Sequence, residues 1–325
     1  MLRGNKMSLD LVHNDKVKLV FASAMEYGNF GDLLSRYIVE KMSGIMVEKY
    51  LYSDNVTSRH LCAIGSILNR NEVCSPVVVW GSGFYSPQKT YKIKLTAIRQ
   101  FLRRRYGKPN FLAVRGKLSQ EIILRANWKC PNVYGDPALL TPFVYPQKNM
   151  QMGSESIQGK KKQVIGVILH KKHQCYKNVF ETIDGTKVID INVSYEGIET
   201  FIDKLLACDT VLSSSLHGLI IANAYKKPCV RLKIKGHPIH AVADRDDFKF
   251  DDYLSGLNLC KVDKDMEDYN FAEMILDNDM KFSNLVDEVC MLATVPKFKI
   301  SLTELVNAFP LELQEKYHQI DFVLD

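Results

Sequence analysis

Residues 210–228, TVLSSSLHGLIIANAYKKP, hold the groups best suited to chemistry in this chain. Three hydroxyls, Ser213, Ser214 and Ser215, and one imidazole, His217, fall between an apolar strand pattern at Val211-Leu212 and a helical run through Leu219, Ile220, Ile221 and Ala224. At such a junction the first helical turn offers unpaired backbone N–H groups and the positive end of its dipole, a seat for phosphate or carboxylate. The hydroxyls add donors, and an imidazole can carry a proton near neutral pH. Gly218 completes the turn. Taken alone, Ser-x-His-Gly is a short motif that a plain helix cap and a core histidine explain as well.

Other turns carry similar groups. Asn29-Phe30-Gly31-Asp32 has the small and turn-forming residues that bring backbone close to a ligand at a helix start. Gly65-Ser66 and Gly81-Ser82-Gly83 each follow an apolar run, but the latter lacks the third glycine of a dinucleotide fingerprint, and no phosphate-loop lysine follows it. Arg115-Gly116 follows the apolar residues 111–114, so its guanidinium is expected to emerge at the strand end, ready for a bidentate grip on carboxylate or phosphate. His170 occupies the matching place after residues 164–169, with Lys171, Lys172 and His173 read as a solvated turn. Asp136, in Gly135-Asp136-Pro137, reads as a turn residue facing the same edge.

These turns need strands and helices to hold them. Residues 16–24, 61–64, 76–80 and 111–114 read as buried strands alternating with helical patterns, and a second series starts at 164–169 and runs through 188–191, a helix over 198–208, strand 210–213 and strand 228–234. The expectation is an α/β protein of two doubly wound, Rossmann-like domains, residues 1–150 and 164–325, with ligand in the cleft between them. Residues 151–163 read as a polar linker. Two helical patterns beyond residue 282 close the chain, the last placed to pack back on the first half.

Bulk properties narrow the classes. In 325 residues, 43 lysines and arginines against 37 acidic residues leave a net charge of +6, which suits a small anionic ligand or a membrane surface better than extended nucleic acid. The run Arg103-Arg104-Arg105 reads as a solvated helix face able to meet anionic lipid. Eight scattered cysteines form no CxxC pair or Cys/His cluster, so reduced thiols and no metal are expected. The first residues lack a signal-peptide core and no apolar run is long enough to span a membrane, so a cytoplasmic protein with at most peripheral membrane contact is expected.

In order, N-F-G-D, I-G-S-I-L, G-S-G-F, V-R-G-K-L-S, Y-G-D-P-A-L-L, Leu169-His170, S-S-S-L-H-G-L-I-I-A-N-A-Y and F-K-F-D-D-Y-L resemble the polysaccharide pyruvyltransferases over roughly residues 27–257. The chain departs from that pattern at Lys226, where the family usually has glycine, and at Leu169, where proline is more common. The resemblance implies a GT-B-like fold, phosphoenolpyruvate as donor, a sugar diol as acceptor and a cyclic ketal as product, with no cofactor. It also implies that His217 and Arg115 hold or act on the donor. Ser214, Ser215 and Gly218 complete the donor seat on this reading, and Asp32 or His170 takes the acceptor proton. Asn29, Gly31, Gly65, Ser66, Gly81, Ser82, Gly83 and Asp136 then shape the acceptor side. The acceptor is expected to be a sugar of capsule or exopolysaccharide, either free, nucleotide-linked or on a polyprenyl diphosphate carrier. The residues also fit a nucleotide-sugar glycosyltransferase, or a carbohydrate- or lipid-carrier-binding module without turnover.

Overall fold

Val77–Trp80 places four apolar residues in succession, and all four are buried, as a strand covered on both faces requires. The computed structural model describes residues 11–50, 58–102, 107–147, 163–234, 243–262, 268–276 and 284–325. It is a mixed α/β architecture built on two parallel sheets. In the first, β2 (Lys16–Leu19) pairs in parallel with β4 (Met46–Lys49) and β5 (His60–Cys62), then β5 with β6 (Val77–Trp80) and β6 with β7 (Asn110–Ala113). The short β1 (Val12–His13) joins β2 antiparallel. The second sheet runs β13-β12-β11-β8-β9, all parallel, from β8 (Ile165–Ile168), β9 (Thr186–Val188), β11 (Thr210–Ser213), β12 (Cys229–Ile234) and β13 (Ala272–Leu276).

One expected turn is a strand. Tyr27–Asn29 forms β3, which pairs antiparallel with β10 (Asn192–Ser194), and the expected strand over 188–191 stops at Val188. This small ribbon joins the two halves of the chain, because backbone groups of each half find their partners on the other. Phe30 N donates to Ile191 O at 2.8 Å, and Tyr195 N to Glu26 O at 2.9 Å.

Helix α1 (Phe30–Ser43) then buries both of its flanks. Phe30 stacks on Phe201 with ring centroids 3.9 Å apart, and Tyr37 donates to Glu199 at 2.7 Å. The apolar core is continuous across the halves, with Val17, Leu61 and Val78 in one cluster with Ile168, Val211 and Leu216. Burying each such side chain contributes about 1.5–3 kcal/mol.

The end of the chain packs on the first sheet. Trp80 donates its indole N–H to Leu305 O at 2.7 Å and meets the Phe309 ring at 4.7 Å, while Gln314 N donates to Met42 O at 2.9 Å. Of the two helical patterns expected there, the first is an eight-residue helix, Leu285–Leu292. The second is five residues, Thr303–Asn307, beside the antiparallel pair β14 (Ile300–Ser301) and β15 (Val323–Leu324). Residues 148–162 and 103–106 lie outside the described residues, so the polar linker and the triple arginine are not placed.

Lys226 accounts for its own departure from the family pattern. It sits just past the C-cap of the helix Leu216–Ala224 with φ of 55°, the left-handed conformation that glycine usually fills. Its ammonium donates to Phe298 O and lies 3.9 Å from the Phe298 ring centroid, a tie to the C-terminal segment that glycine cannot make.

A buried ion pair fastens the helix Ala243–Leu259 to the first half. Asp252 has no exposed surface and accepts from Arg115 Nε at 2.9 Å, Ser119 N at 2.7 Å and Ser119 Oγ at 2.7 Å. The backbones touch beside it: a Cβ on Gly116 would lie 1.7 Å from Asp252 O. Replacing Asp252 by Asn strands the Arg115 charge in the interior, and the prediction is a loss of about 3–5 kcal/mol in urea unfolding. A loss below about 1 kcal/mol, the level of a surface pair, would contradict a buried clamp.

Candidate active site

The first turns of two helices meet at His217. One is α1, whose N-cap Asn29 accepts from Gly31 N at 3.0 Å; the other is the helix Leu216–Ala224, whose N-cap Ser215 makes no side-chain cap bond. A Cβ on Gly31 would lie 2.1 Å from His217 Nδ1, so the imidazole packs flat against the backbone of the facing helix and no larger residue fits. Two positive helix ends therefore converge on one imidazole.

The ring is partly accessible, but among the described residues its Nε2 has neither solvent contact nor a hydrogen-bond partner. An orphaned buried nitrogen is costly to leave unmatched. Burial, with the charges of Arg115 and Lys249, holds the His217 pKa down to about 3. The free chain thus keeps this group neutral among positive charges.

Two further cations come from separate elements. Lys249, on the helix Ala243–Leu259, is 5% exposed and lies 5.3 Å from the Tyr85 ring centroid; Lys172 lies 5.4 Å from the same ring and donates to the Tyr85 hydroxyl at 2.9 Å. Two ammonium groups thus share one phenol ring.

Arg115 does not emerge as the sequence suggested. Its guanidinium is fully buried and donates to Asp252, to Ser66 Oγ and to Phe84 O, so it reaches His217 through its field while its fork is occupied. A strand-end position fixes the Cα, not the course of a long side chain, and the neutralising carboxylate stands 137 positions away in sequence.

The remaining expected residues fall around this centre. Ser213 Oγ donates to Ile168 O and accepts from Ser215 N, both at 3.0 Å. Ser214 Oγ accepts from His170 N at 3.0 Å and is 2.8 Å from His173 Nδ1. His173 is buried, so it is a positioning residue where a solvated turn was expected. His170 caps the turn that follows β8 and accepts from Lys172 N at 3.3 Å. Gly218 packs on β8 and β11, where a Cβ would lie 2.5 Å from Ser213 Oγ. Asp32 accepts from Ser23 Oγ at 2.7 Å, and that same oxygen accepts from Asn29 N.

On the first sheet, Gly65 and Gly81 adopt φ of 119° and 87°, Ser82 Oγ donates to Ala63 O, and Gly83 lies directly against the Arg115–Asp252 pair. Asp136 is fully buried with Oδ1 on Ala138 N and Oδ2 without a partner among the described residues. Burial lifts its pKa to about 6, against the pull of the Ala138 N–H and Arg115. The sequence reading assigned no role to Lys249, Tyr85 or Asp252. Their signal was the F-K-F-D-D-Y-L run and the Phe84-Tyr85 pair after Gly83, but nothing local says that they meet.

Two open grooves, of about 380 and 520 Å³, lie on the other side of the helix Ala243–Leu259. The cations of the larger, Arg231 and Lys233, are already paired with Asp247 and Glu273.

The family model for polysaccharide pyruvyl transferase matches residues 52–235, more than half of the chain and a span that includes β5–β7 of the first sheet, β8, β9, β11 and β12 of the second, Arg115 and His217. The chain belongs to the polysaccharide pyruvyl transferase family. No curated protein and no solved structure matches it significantly. Gly31, Lys249 and Asp252 lie outside the matched span, and the fold alone brings Gly31 and the charge of Lys249 to His217 and Asp252 to Arg115.

Gly31→Ala pushes a methyl group into the imidazole, so the expectation is loss of transfer activity with a folded protein by circular dichroism; unaltered activity would remove the Gly31–His217 contact from the site. For His217, the free protein should show a neutral ring in ¹⁵N spectra down to about pH 4, and a ring protonated at pH 5.5 would contradict the buried, cation-flanked setting. The sign for stability follows: the unfolded chain takes up this proton near 6.5, so stability falls as pH drops from 6.5 toward 3, and His217→Gln flattens that limb.

Proposed function

We propose that the chain transfers the pyruvyl group of phosphoenolpyruvate to two hydroxyls of one sugar, forming a cyclic pyruvate ketal and inorganic phosphate, in the building of a capsular or exopolysaccharide. The observation that carries this reading is the neutral, orphaned Nε2 of His217 between two helix N-termini and beside Arg115 and Lys249. A small ester bearing both carboxylate and phosphate is a ligand that such a field would hold.

On this reading the donor's charge cancels the field that keeps His217 neutral, so the imidazole gains a proton as the donor binds. That proton passes to the methylene carbon of the enol, which becomes a methyl group and leaves an oxocarbenium-like centre at C2. One sugar hydroxyl adds to C2 and gives up its proton to Asp32 or His170. The second hydroxyl then attacks the same carbon, the C2–O–phosphate bond breaks, and phosphate departs with the remaining proton. Lys249 and Lys172 neutralise the leaving phosphate.

Arg115 serves as the clamp that fixes Lys249 against His217, and Ser214 and Ser215 line the anion seat. Asn29, Ser66, Gly83 and Asp136 shape the acceptor side. The two sheets are assigned to two Rossmann-like units of GT-B type, residues 1–150 and 164–325, with the site at their junction. The setting is the cytoplasm, where phosphoenolpyruvate is made.

Incubation with phosphoenolpyruvate and a panel of galactose-, glucose- and mannose-type acceptors should release phosphate in step with the mass gain of a ketal. Turnover with a nucleotide sugar and none with phosphoenolpyruvate would overturn the proposal. His217→Ala should lower kcat about a hundredfold or more, as removal of a proton donor does. Lys249→Met should chiefly raise the KM for phosphoenolpyruvate; an unchanged KM would place Lys249 outside the donor seat.

A further inference from the structure

The helix Thr90–Leu102 turns the wrong face outward for an ordinary surface helix. Ile93, 1% exposed, is its buried anchor, with Ala97 partly buried beside it. On the opposite side Tyr91, Leu95, Ile98 and Leu102 are 55%, 49%, 57% and 75% exposed, and Phe101 next to them is 69% exposed. Their spacing of four, three and four residues puts the first four in one stripe, about 60° wide at 100° per residue. Lys94 lies along one border of the stripe and Arg99 and Lys92 along the other, all three exposed.

The sequence around this stripe carries charge of one sign. Residues 73–120 contain ten lysines and arginines and no aspartate or glutamate, although the whole chain has 37 acidic residues. The basic residues include Lys89, Lys92, Lys94 and Arg99 on or beside the helix and Arg103, Arg104, Arg105 and Lys108 just after it in sequence. An apolar stripe bordered by cations matches an acyl boundary lined by anionic headgroups. Among the described residues no helix is long and apolar enough to cross a membrane, so insertion is limited to the interface.

We propose that the helix Thr90–Leu102 is an interfacial docking surface for an anionic lipid bilayer. It lies five residues after Tyr85, the ring shared by Lys172 and Lys249, so a docked chain carries its candidate site close to the lipid surface. The proposal stands on the helix alone and does not depend on which donor the site takes.

The test is co-sedimentation of the full chain with vesicles of phosphatidylcholine and of phosphatidylcholine with phosphatidylglycerol. The wild type should partition onto the anionic vesicles, weaken with added salt and largely ignore the neutral ones. Each basic residue near the surface strengthens partition roughly fivefold, so Lys92→Gln/Lys94→Gln/Arg99→Gln together should lower it about a hundredfold. Ile98→Glu/Leu102→Glu should abolish it while leaving the melting temperature and transfer to a soluble acceptor unchanged, since both residues point outward. Failure of the wild type to bind anionic vesicles, or equal binding by the variants, would overturn the proposal. So would a wild-type dimer in sedimentation equilibrium that Ile98→Glu/Leu102→Glu turns into monomer, because a second copy would then cover the stripe.

Discussion

A guanidinium with no exposed surface must find its counter-charge inside the protein, and Arg115 finds it on Asp252. That constraint organises the centre of the molecule. The two residues come from different halves of the chain, so their pairing decides where the helix Ala243–Leu259 lies, and through it where Lys249 meets Tyr85 and His217. Ion pairs of this kind rarely add net stability over an apolar substitute, but breaking one leaves a charge stranded, so they specify a single arrangement. Gly116 and Gly256 allow it by letting the two backbones touch.

Around the clamp the charge is unevenly placed. Two helix N-termini, Lys249 and Lys172 gather on one side, while the imidazole among them is neutral and one of its nitrogens has no partner among the described residues. Perturbed groups of this kind cluster at functional sites. On the proposed function His217 gains its proton only once a bound anion has changed this field. For proton transfer to carbon this timing is useful, because the acid is formed only where its acceptor already sits.

The sequence made much of this visible. Apolar runs ending in Gly, Ser, Arg or His marked the strand ends, and the junction at Ser213–Gly218 was readable because hydroxyls and an imidazole interrupt an otherwise apolar pattern. What it could not show was direction and distance. Arg115 was legible as a strand-end cation, but not as one turned inward toward a carboxylate far along the chain. His173 and Lys172 looked solvated because four polar residues in a row resemble a turn, yet Ser214 and Tyr85 hold them. Asn29 read as part of a turn because the partner of its strand Tyr27–Asn29, Asn192–Ser194, lies in the other half. Lys226 was legible as a departure from a family pattern; its left-handed backbone and its tie to Phe298 explain how the chain tolerates it.

The central claim is that an anion entering the site changes the protonation of His217. Titration calorimetry of phosphoenolpyruvate at pH 7.5, in buffers that differ in ionisation enthalpy, measures the protons taken up on binding. The account predicts an uptake approaching one proton in the wild type that is absent in His217→Gln. Equal proton uptake in the two proteins, with binding intact, would contradict it.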